Sequence, residues 1–243
     1  MVGILYAFFF YRWFVQPYSL RWKGLYGDMT YPPGDVRGID ISHHQGEIDW
    51  NLLRNADIQG APVSFIFVKA TEGASMIDEN FNHNFYHTRL NGMTRGAYHY
   101  FSNKSSGASQ AKFFCKVVQL EPGDLPPVLD VEEFPPTTMD KRNWKKEILD
   151  WLQAVEQHYH VKPIIYTGYR YKLDYLNDKV FDQYPLWIAH YYVDQLQYKG
   201  KWMFWQHTDA GHVPGIKGEV DINLFQGDRT NLDSLCIKDF LYE

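Results

Sequence analysis

The sequence predicts an α/β fold, an irregular (β/α) barrel of eight strands and about five helices in which the last three strands are joined by loops. Three observations lead there. Short apolar runs alternate with longer amphipathic segments, the pattern of a parallel sheet with crossover helices. Polar and ionisable residues gather at the ends of those runs, and barrels of this type place their chemistry at the C-terminal strand ends. At 243 residues and 45% hydrophobic content, the chain is long enough to bury one large core.

Taken in order, residues 1–27 stand apart from a barrel domain predicted over 28–243. Val2 to Val15 is strongly apolar, interrupted by Arg12 and followed by Gln16-Pro17-Tyr18. A spanning helix takes about 20 apolar residues, and a signal peptide needs a basic start and a small-residue cleavage site. The segment matches neither template. It reads as a short signal-anchor helix that attaches the protein to a membrane through residues 2–16, with Arg12, Trp13 and Arg21 near the interface. The competing reading is an N-terminal helix packed on the domain.

The predicted strands are Gly38 to Ser42, Phe65 to Ala70, Gly96 to Phe101, Val128 to Glu132, Pro163 to Thr167, Leu186 to His190, Met203 to His207 and Val220 to Phe225. Helices are expected near Trp50 to Ile58, Asp78 to Asn91, Ser106 to Leu120, Asp140 to His160 and Tyr169 to Phe181. The fourth is the clearest, because Trp144, Ile148, Trp151, Leu152 and Val155 recur at helical spacing opposite a charged face. Val193 to Lys201 and Asp209 to Glu219 carry Gly and Lys without helical period, so they are read as loops. With helices absent there, the barrel is expected to be incomplete on one side.

The fourth strand carries the sharpest chemical signal. In Pro126-Pro127-Val128-Leu129-Asp130-Val131-Glu132, alternation puts Asp130 and Glu132 on one face, their Cα atoms roughly 6.5 to 7 Å apart. Repulsion and partial burial would raise the pKa of one acid and leave a proton donor beside an ionised partner, as glycosidic cleavage requires. Other rim positions are polar too: Asp40 in the first strand with Ser42 after it, Lys69 and Glu72 at the end of the second, His99 near the end of the third, Tyr166 in the fifth, His190 in the sixth, Gln206 and His207 in the seventh. Asp221 opens the eighth. Four acids converging at one rim, Asp40, Asp130, Glu132 and Asp221, cost stability unless function requires them.

Together the segments Gly38-Ile39-Asp40-Ile41-Ser42-His43-His44-Gln45-Gly46, Phe67-Val68-Lys69-Ala70-Thr71-Glu72-Gly73, Arg95-Gly96-Ala97-Tyr98-His99-Tyr100-Phe101, Leu129-Asp130-Val131-Glu132, Ile165-Tyr166-Thr167-Gly168, Leu186-Trp187-Ile188-Ala189, Trp205-Gln206 and Val220-Asp221-Ile222-Asn223 resemble the glycoside hydrolase family 25 lysozymes, the Chalaropsis-type muramidases. The likeness runs from about Gly38 to Gly227, and the anchor-like start resembles envelope lysozymes of Bacteroides-like bacteria. The resemblance implies hydrolysis of the β-1,4 bond between N-acetylmuramic acid and N-acetylglucosamine in peptidoglycan, in a bacterial envelope or secreted setting and without a cofactor. It implies Glu132 as general acid, Asp130 as the group that orients the substrate's own 2-acetamido group, and Asp40 and Asp221 as residues that hold the sugar and tune Glu132. Tyr166, Lys69, Glu72, Tyr98, His99, Trp187 and Gln206 are the expected substrate contacts. Spacing alone leaves retaining and inverting routes open, because the side-chain rotamers are not fixed by sequence.

Composition agrees with this partner. A net charge of −5 with scattered lysines and arginines argues against nucleic acid, whose phosphates need a concentrated basic patch. Aromatic residues make up 17% of the chain, and although most must fill the core, their faces also suit sugar rings. No metal is expected: His83 and His87 stand four apart, but Asn84 follows His83 where the metalloprotease signature has Glu. His158-Tyr159-His160 falls before its strand, at the wrong rim. Cys115 and Cys236 offer no structural zinc site, and whether they pair is open, with two free thiols the expected state. A monomer is expected. Two other functions fit the same barrel, a chitinase-like endo-N-acetylglucosaminidase and a glycan-binding barrel that does not cut.

Overall fold

The computed structural model of the chain describes residues 2–11, 31, 36–135 and 140–238. Helix α1, Val2–Phe10, carries exposed Leu5, Phe8, Phe9 and Phe10. Among the described residues no helix is long and apolar enough to cross a membrane. Arg12, Trp13, Arg21 and the boundary at residues 27 and 28 lie outside the described residues.

From Arg37 the elements run β1 (Arg37–Ile41), α2 (Trp50–Leu53), β2 (Asp57–Ile58), β3 (Ala61–Glu72), β4 (Met76–Ile77), α3 (Phe81–Leu90), β5 (Thr94–Tyr100), α4 (Gly107–Val117) and β6 (Val128–Asp130). They continue with α5 (Lys141–Tyr159), β7 (Ile164–Gly168), α6 (Tyr169–Asp174), β8 (Leu186–Ala189), β9 (Phe204–Gly211), β10 (Val220–Phe225) and α7 (Arg229–Leu235). All eight predicted strands form. The short strands β2 and β4 pair with the two ends of β3 and were not foreseen, nor was α7. Helix α2 stops at Leu53 rather than continuing to Ile58, because the chain turns there into β2.

The ring closes, in the order β1-β10-β9-β8-β7-β6-β5-β3 and back to β1 through a parallel β1–β3 pairing. The expected gap therefore lies in the helical layer and not in the sheet. Where crossover helices are missing, the segment after β8 covers the outer face: Val193, Leu196, Tyr198 and Trp202 pack on Leu186, Ile188, Trp205 and Leu224. Within the ring one strand runs against the others. β10 is antiparallel to both β1 and β9, so the start of β10 lies at the rim where the other strands end.

Alternation sorts the strand residues into two cores. Facing into the barrel are Phe65, Phe67, Val128, Ile164, Tyr166, Trp187, Phe204 and Phe225. Facing the helices are Ile39, Ile41, Ile66, Val68, Ala97, Leu129, Val131 and Ile165, with Trp144, Ile148, Trp151, Leu152 and Val155 of α5 laid over part of that surface. Gly38 and Gly96 make room inside the barrel. A Cβ on Gly96 would stand 2.5 Å from the Phe67 ring, and one on Gly38 would stand 2.6 Å from the Phe65 ring. Helix α5 starts at the Asp140 N-cap, whose carboxylate accepts from the Arg142 N–H, and ends where His160 turns left-handed at φ 55°. Both cysteines are free thiols, and burial pushes each up to about 11.

Candidate active site

Because Asp40, Lys69, Tyr98, Tyr100, Asp130, Tyr166, Trp187 and Gln206 alternate with outward-facing residues, their side chains meet at the C-terminal mouth of the barrel. A cavity of about 220 Å³ opens there, lined by Asp40, Lys69, Tyr98, Tyr100, Asp130, Glu132, Tyr166, Trp187, Tyr191, Gln206 and Asp221. Asp221 reaches it through the reversal of β10, which sets Asp221 directly opposite Asp40 in the β1–β10 register. All four acids come together.

Strand β6 is shorter than expected and ends at Asp130, so Glu132 stands just beyond the sheet. Its backbone is held on β7 all the same. Val131 N–H donates to Tyr166 O at 3.0 Å, and Thr167 Oγ1 donates to Val131 O at 2.8 Å. The following residue is pinned as well: Asn103 N–H donates to Glu133 Oε2 at 2.8 Å, and Tyr171 OH donates to Glu133 O at 2.5 Å. The segment that carries Glu132 is therefore fixed from three sides, by β7, by the segment after β5 and by α6.

A hydrogen-bonded chain links the acids. Gln206 Nε2 donates to Asp40 Oδ2 at 2.8 Å and to Asp221 Oδ2 at 3.1 Å. Gln206 Oε1 accepts from Tyr166 OH and from Tyr191 OH, each at 2.6 Å. Tyr166 OH in turn lies 3.3 Å from Glu132 Oε1. Asn223, two residues after Asp221 and on the same face, donates from Nδ2 to Asp40 Oδ2 at 2.7 Å and accepts from Trp187 Nε1 at 2.8 Å. Asp130 Oδ1 is buried and has no partner. Such an oxygen is costly unless a ligand donor satisfies it.

Burial raises every acid here. Asp40 is pushed up to about 6 by desolvation, against hydrogen bonds from Asn223 and Gln206 that favour its charge. Asp221 is pushed up to about 9, by desolvation and then by the Asp40 charge, so near neutral pH it holds a proton that it donates to Asp40. Asp130 is raised by desolvation and by Glu132, while Lys69 counters both rises. Glu132 is raised by desolvation against the Tyr166 hydrogen bond. Asp130 and Glu132 line one cavity and the charge of Glu132 acts on Asp130, so the two titrate as a linked pair. Lys69 Nζ is held 2.8 Å from Glu72 Oε2 and 5.0 Å from the centre of the Tyr100 ring.

Glu72 itself does not line the catalytic cavity; it lines a neighbouring one of about 190 Å³ with Lys69, His43 and Asp78. His99 departs from expectation entirely. It is fully buried on the outer face, between Thr71 Oγ1 at 2.7 Å and Gln110 Oε1 at 3.0 Å, with its ring stacked on Trp151. Adjacent strand residues point to opposite faces, so with Tyr98 turned inward His99 could not reach the cavity. Burial pulls it down to about 4 and keeps it neutral. His207 is likewise on the outer face, against Trp205, and His190 borders a second cleft beside the cavity. His87 stacks on Trp50 and His83 lies tilted beside the same ring, and neither lines the cavity. Sequence reasoning missed Tyr100, Tyr191 and Asn223. Period-two alternation from Tyr98 and from Asp221 could have found the first and third; Tyr191 follows β8 on an irregular segment that carries no such signal.

A closed barrel whose mouth gathers a buried carboxyl pair, two supporting acids and aromatic walls defines a glycoside hydrolase. Comparison with known proteins agrees. The family model for glycosyl hydrolases family 25 matches residues 39–216. The uncharacterized protein YegX of Escherichia coli K12 is 42% identical over 193 residues, covering 79% of this chain and 70% of that one. Lysozyme M1 of Streptomyces globisporus is 31% identical over 225 residues, covering 86% and 75%. The crystal structure of the bacterial lysozyme from Streptomyces coelicolor superposes with a TM-score of 0.75 at 31% identity, covering 84% of this chain and 97% of that one. The chain belongs to glycosyl hydrolases family 25.

Proposed function

We propose that the protein is an N-acetylmuramidase that cuts the β-1,4 bond between N-acetylmuramic acid and N-acetylglucosamine in peptidoglycan, with retention and with help from the substrate's acetamido group. The carrying observation is the unpartnered, buried Asp130 Oδ1 next to Glu132. An acetamido N–H donated to that oxygen would satisfy it and stabilise Asp130 as the anion. The proton shared by the pair then resides on Glu132, which is where a general acid needs it. Glu132 protonates the leaving oxygen while Asp130 aligns the acetamido oxygen behind the anomeric carbon and stabilises the positive charge that develops on that group.

Tyr166 steadies Glu132, and Gln206 fixes the Tyr166 hydroxyl between Tyr191 and the Asp40–Asp221 pair. Asp40 and Asp221, with Tyr98 and Trp187 nearby, hold the sugar; Lys69 offsets part of the negative charge and is itself held by Glu72. Proton NMR of the first product tests the route. Retention of the β-anomer supports acetamido assistance, and an inverted α-anomer contradicts it.

The setting we propose is the bacterial envelope, with attachment to the membrane through residues 2–16 and a monomeric catalytic domain. The chain enters β1 at the rim opposite the cavity, which suits a groove that faces the wall. Intact protein that stays in the aqueous phase without detergent would rule out the attachment.

A further inference from the structure

A cleft of about 1030 Å³ lies at the end of the barrel opposite the reacting acids. It opens where β8 and β9 begin and β10 ends, with Leu186, Met203 and Phe225 in its wall and α7 along one side. Three lysines border it, Lys162, Lys199 and Lys201, and all three are exposed. The chemistry at the mouth uses none of them.

Their charge is not spent inside the protein. Lys162 Nζ lies 5.7 Å from the centre of the Tyr184 ring and donates to uncharged Gln183, to Oε1 at 3.3 Å and to O at 3.4 Å. Asp182, the acid in the lining, is engaged by Lys172, whose Nζ donates to it at 2.9 Å. Among the described residues no carboxylate forms an ion pair with Lys162, Lys199 or Lys201. The run Lys199-Gly200-Lys201-Trp202-Met203 sets two of these cations beside half-buried Trp202 and exposed Met203. Cations next to Trp and an exposed apolar side chain match the polar and apolar layers of a membrane surface.

The two ends of the barrel differ in charge. Four carboxyls line the mouth with Lys69 as the cation among them, whereas lysines outnumber the acid at the other rim. An anionic surface would attract the lysine rim and repel the mouth. β1 begins at this same rim, so the chain that carries α1 enters the domain there. α1 exposes Leu5, Phe8, Phe9 and Phe10, and no described helix is long enough to cross a membrane. A shallow apolar anchor holds firmly only with a second, electrostatic attachment.

We infer that this cleft docks on an anionic membrane surface, with Lys162, Lys199 and Lys201 taking the phosphate headgroups of acidic phospholipids and Trp202 at headgroup level. The inference rests on the membrane setting proposed above and adds an orientation to it: the barrel stands on this rim with its cutting groove turned toward the wall. A wall-borne polyanion fits less well, because the cleft lies on the far side of the barrel from the strand being cut.

Vesicle sedimentation of the full chain tests it, with phosphatidylcholine alone and with roughly one third of it replaced by phosphatidylglycerol. The wild type should partition more strongly onto the anionic vesicles, and the excess should shrink as salt is raised. Lys199→Gln with Lys201→Gln should cut binding to those vesicles by about tenfold or more, at about fivefold per lysine, and leave binding to neutral vesicles unchanged. Lys112→Gln with Lys116→Gln removes the same charge from exposed positions on α4 and should bind like the wild type. Equal losses in the two pairs overturn the docking site. So does an anionic preference that survives Lys199→Gln with Lys201→Gln, which would belong to Arg12, Arg21 and Lys23 of the N-terminal segment. Unchanged vesicle binding with weaker binding to sacculi that carry anionic polymer overturns it too, and gives the lysines to the wall. A wild type that binds anionic but not neutral vesicles, and loses that binding with the two lysines, supports the cleft while removing the apolar anchor, so the two readings fail separately.

Discussion

Glu132 and Asp130 do different work within one cavity, and substitution separates them. Glu132→Gln keeps the shape and removes the transferable proton, so kcat on sacculi should fall by about 10² to 10⁴ while thermal unfolding barely changes. Asp130→Asn should lower kcat more than it raises KM, because the lost charge matters most as positive charge develops at the reaction centre. Lys69 acts on both from a distance. Its charge lowers the pKa of Asp130 and of Glu132, so Lys69→Met should move the bell-shaped pH dependence of kcat/KM toward higher pH, and Lys69→Arg should restore it. A profile that stays in place would show that Lys69 does not tune the pair. At this scale the strand period told much: Asp40, Asp130, Tyr166 and Gln206 could be placed at the mouth because each alternates with buried apolar neighbours. The same rule excludes His99 from the mouth. His99 and Tyr98 cannot both face inward, and the outward one went to the core beneath α5.

Two elements decide whether the acids meet. β10 must run backwards for Asp221 to face Asp40, and the β9–β10 connector, residues 212–219, is shorter than the dozen or so residues that a parallel crossover takes. The reversal is not readable from the sequence, because the predicted strands leave about a dozen residues between them, enough for a parallel crossover, and only the extension of β9 to Gly211 shortens the connector. The other element is β5 against β3, where Gly96 admits the Phe67 ring into the barrel. Gly96→Ala would crowd that ring, which also stacks on Trp187 in the cavity wall, and should cost about 1 to 3 kcal/mol in denaturant unfolding. Gly107→Ala should cost more. Its Cβ would lie 1.8 Å from the Glu147 carbonyl oxygen, so α4 and α5 would have to move apart. An equal or smaller loss for Gly107→Ala would mean that the α4–α5 contact yields easily. Neither close approach is visible in sequence, because both depend on which elements become neighbours.

For the molecule as a whole, the clustered acids set how stability varies with pH. Asp221 has a folded pKa of about 9, above its unfolded value, so between those limits the native state binds more protons and stability falls as pH rises. His99 and His207, pulled down to about 4, act in the opposite sense from about pH 4 to 6.5 and are spent above that. Asp221→Asn, which keeps a donor toward Asp40, should therefore stabilise the protein at pH 8 relative to its effect at pH 5, by more than about 1 kcal/mol. A pH-independent effect would show that Asp221 is not held protonated. The α/β class, the eight strands and the looped final third were all legible in the alternation of apolar runs. Closure of the ring was not, since pairing of β1 with β3 and β10 is a long-range property that local periodicity does not encode. The most direct test of the account is reducing-end analysis of purified sacculi digested by the protein. N-acetylmuramic acid at the new reducing ends, lost in Glu132→Gln, is the predicted result; N-acetylglucosamine at those ends, or no new ends at all, would contradict it.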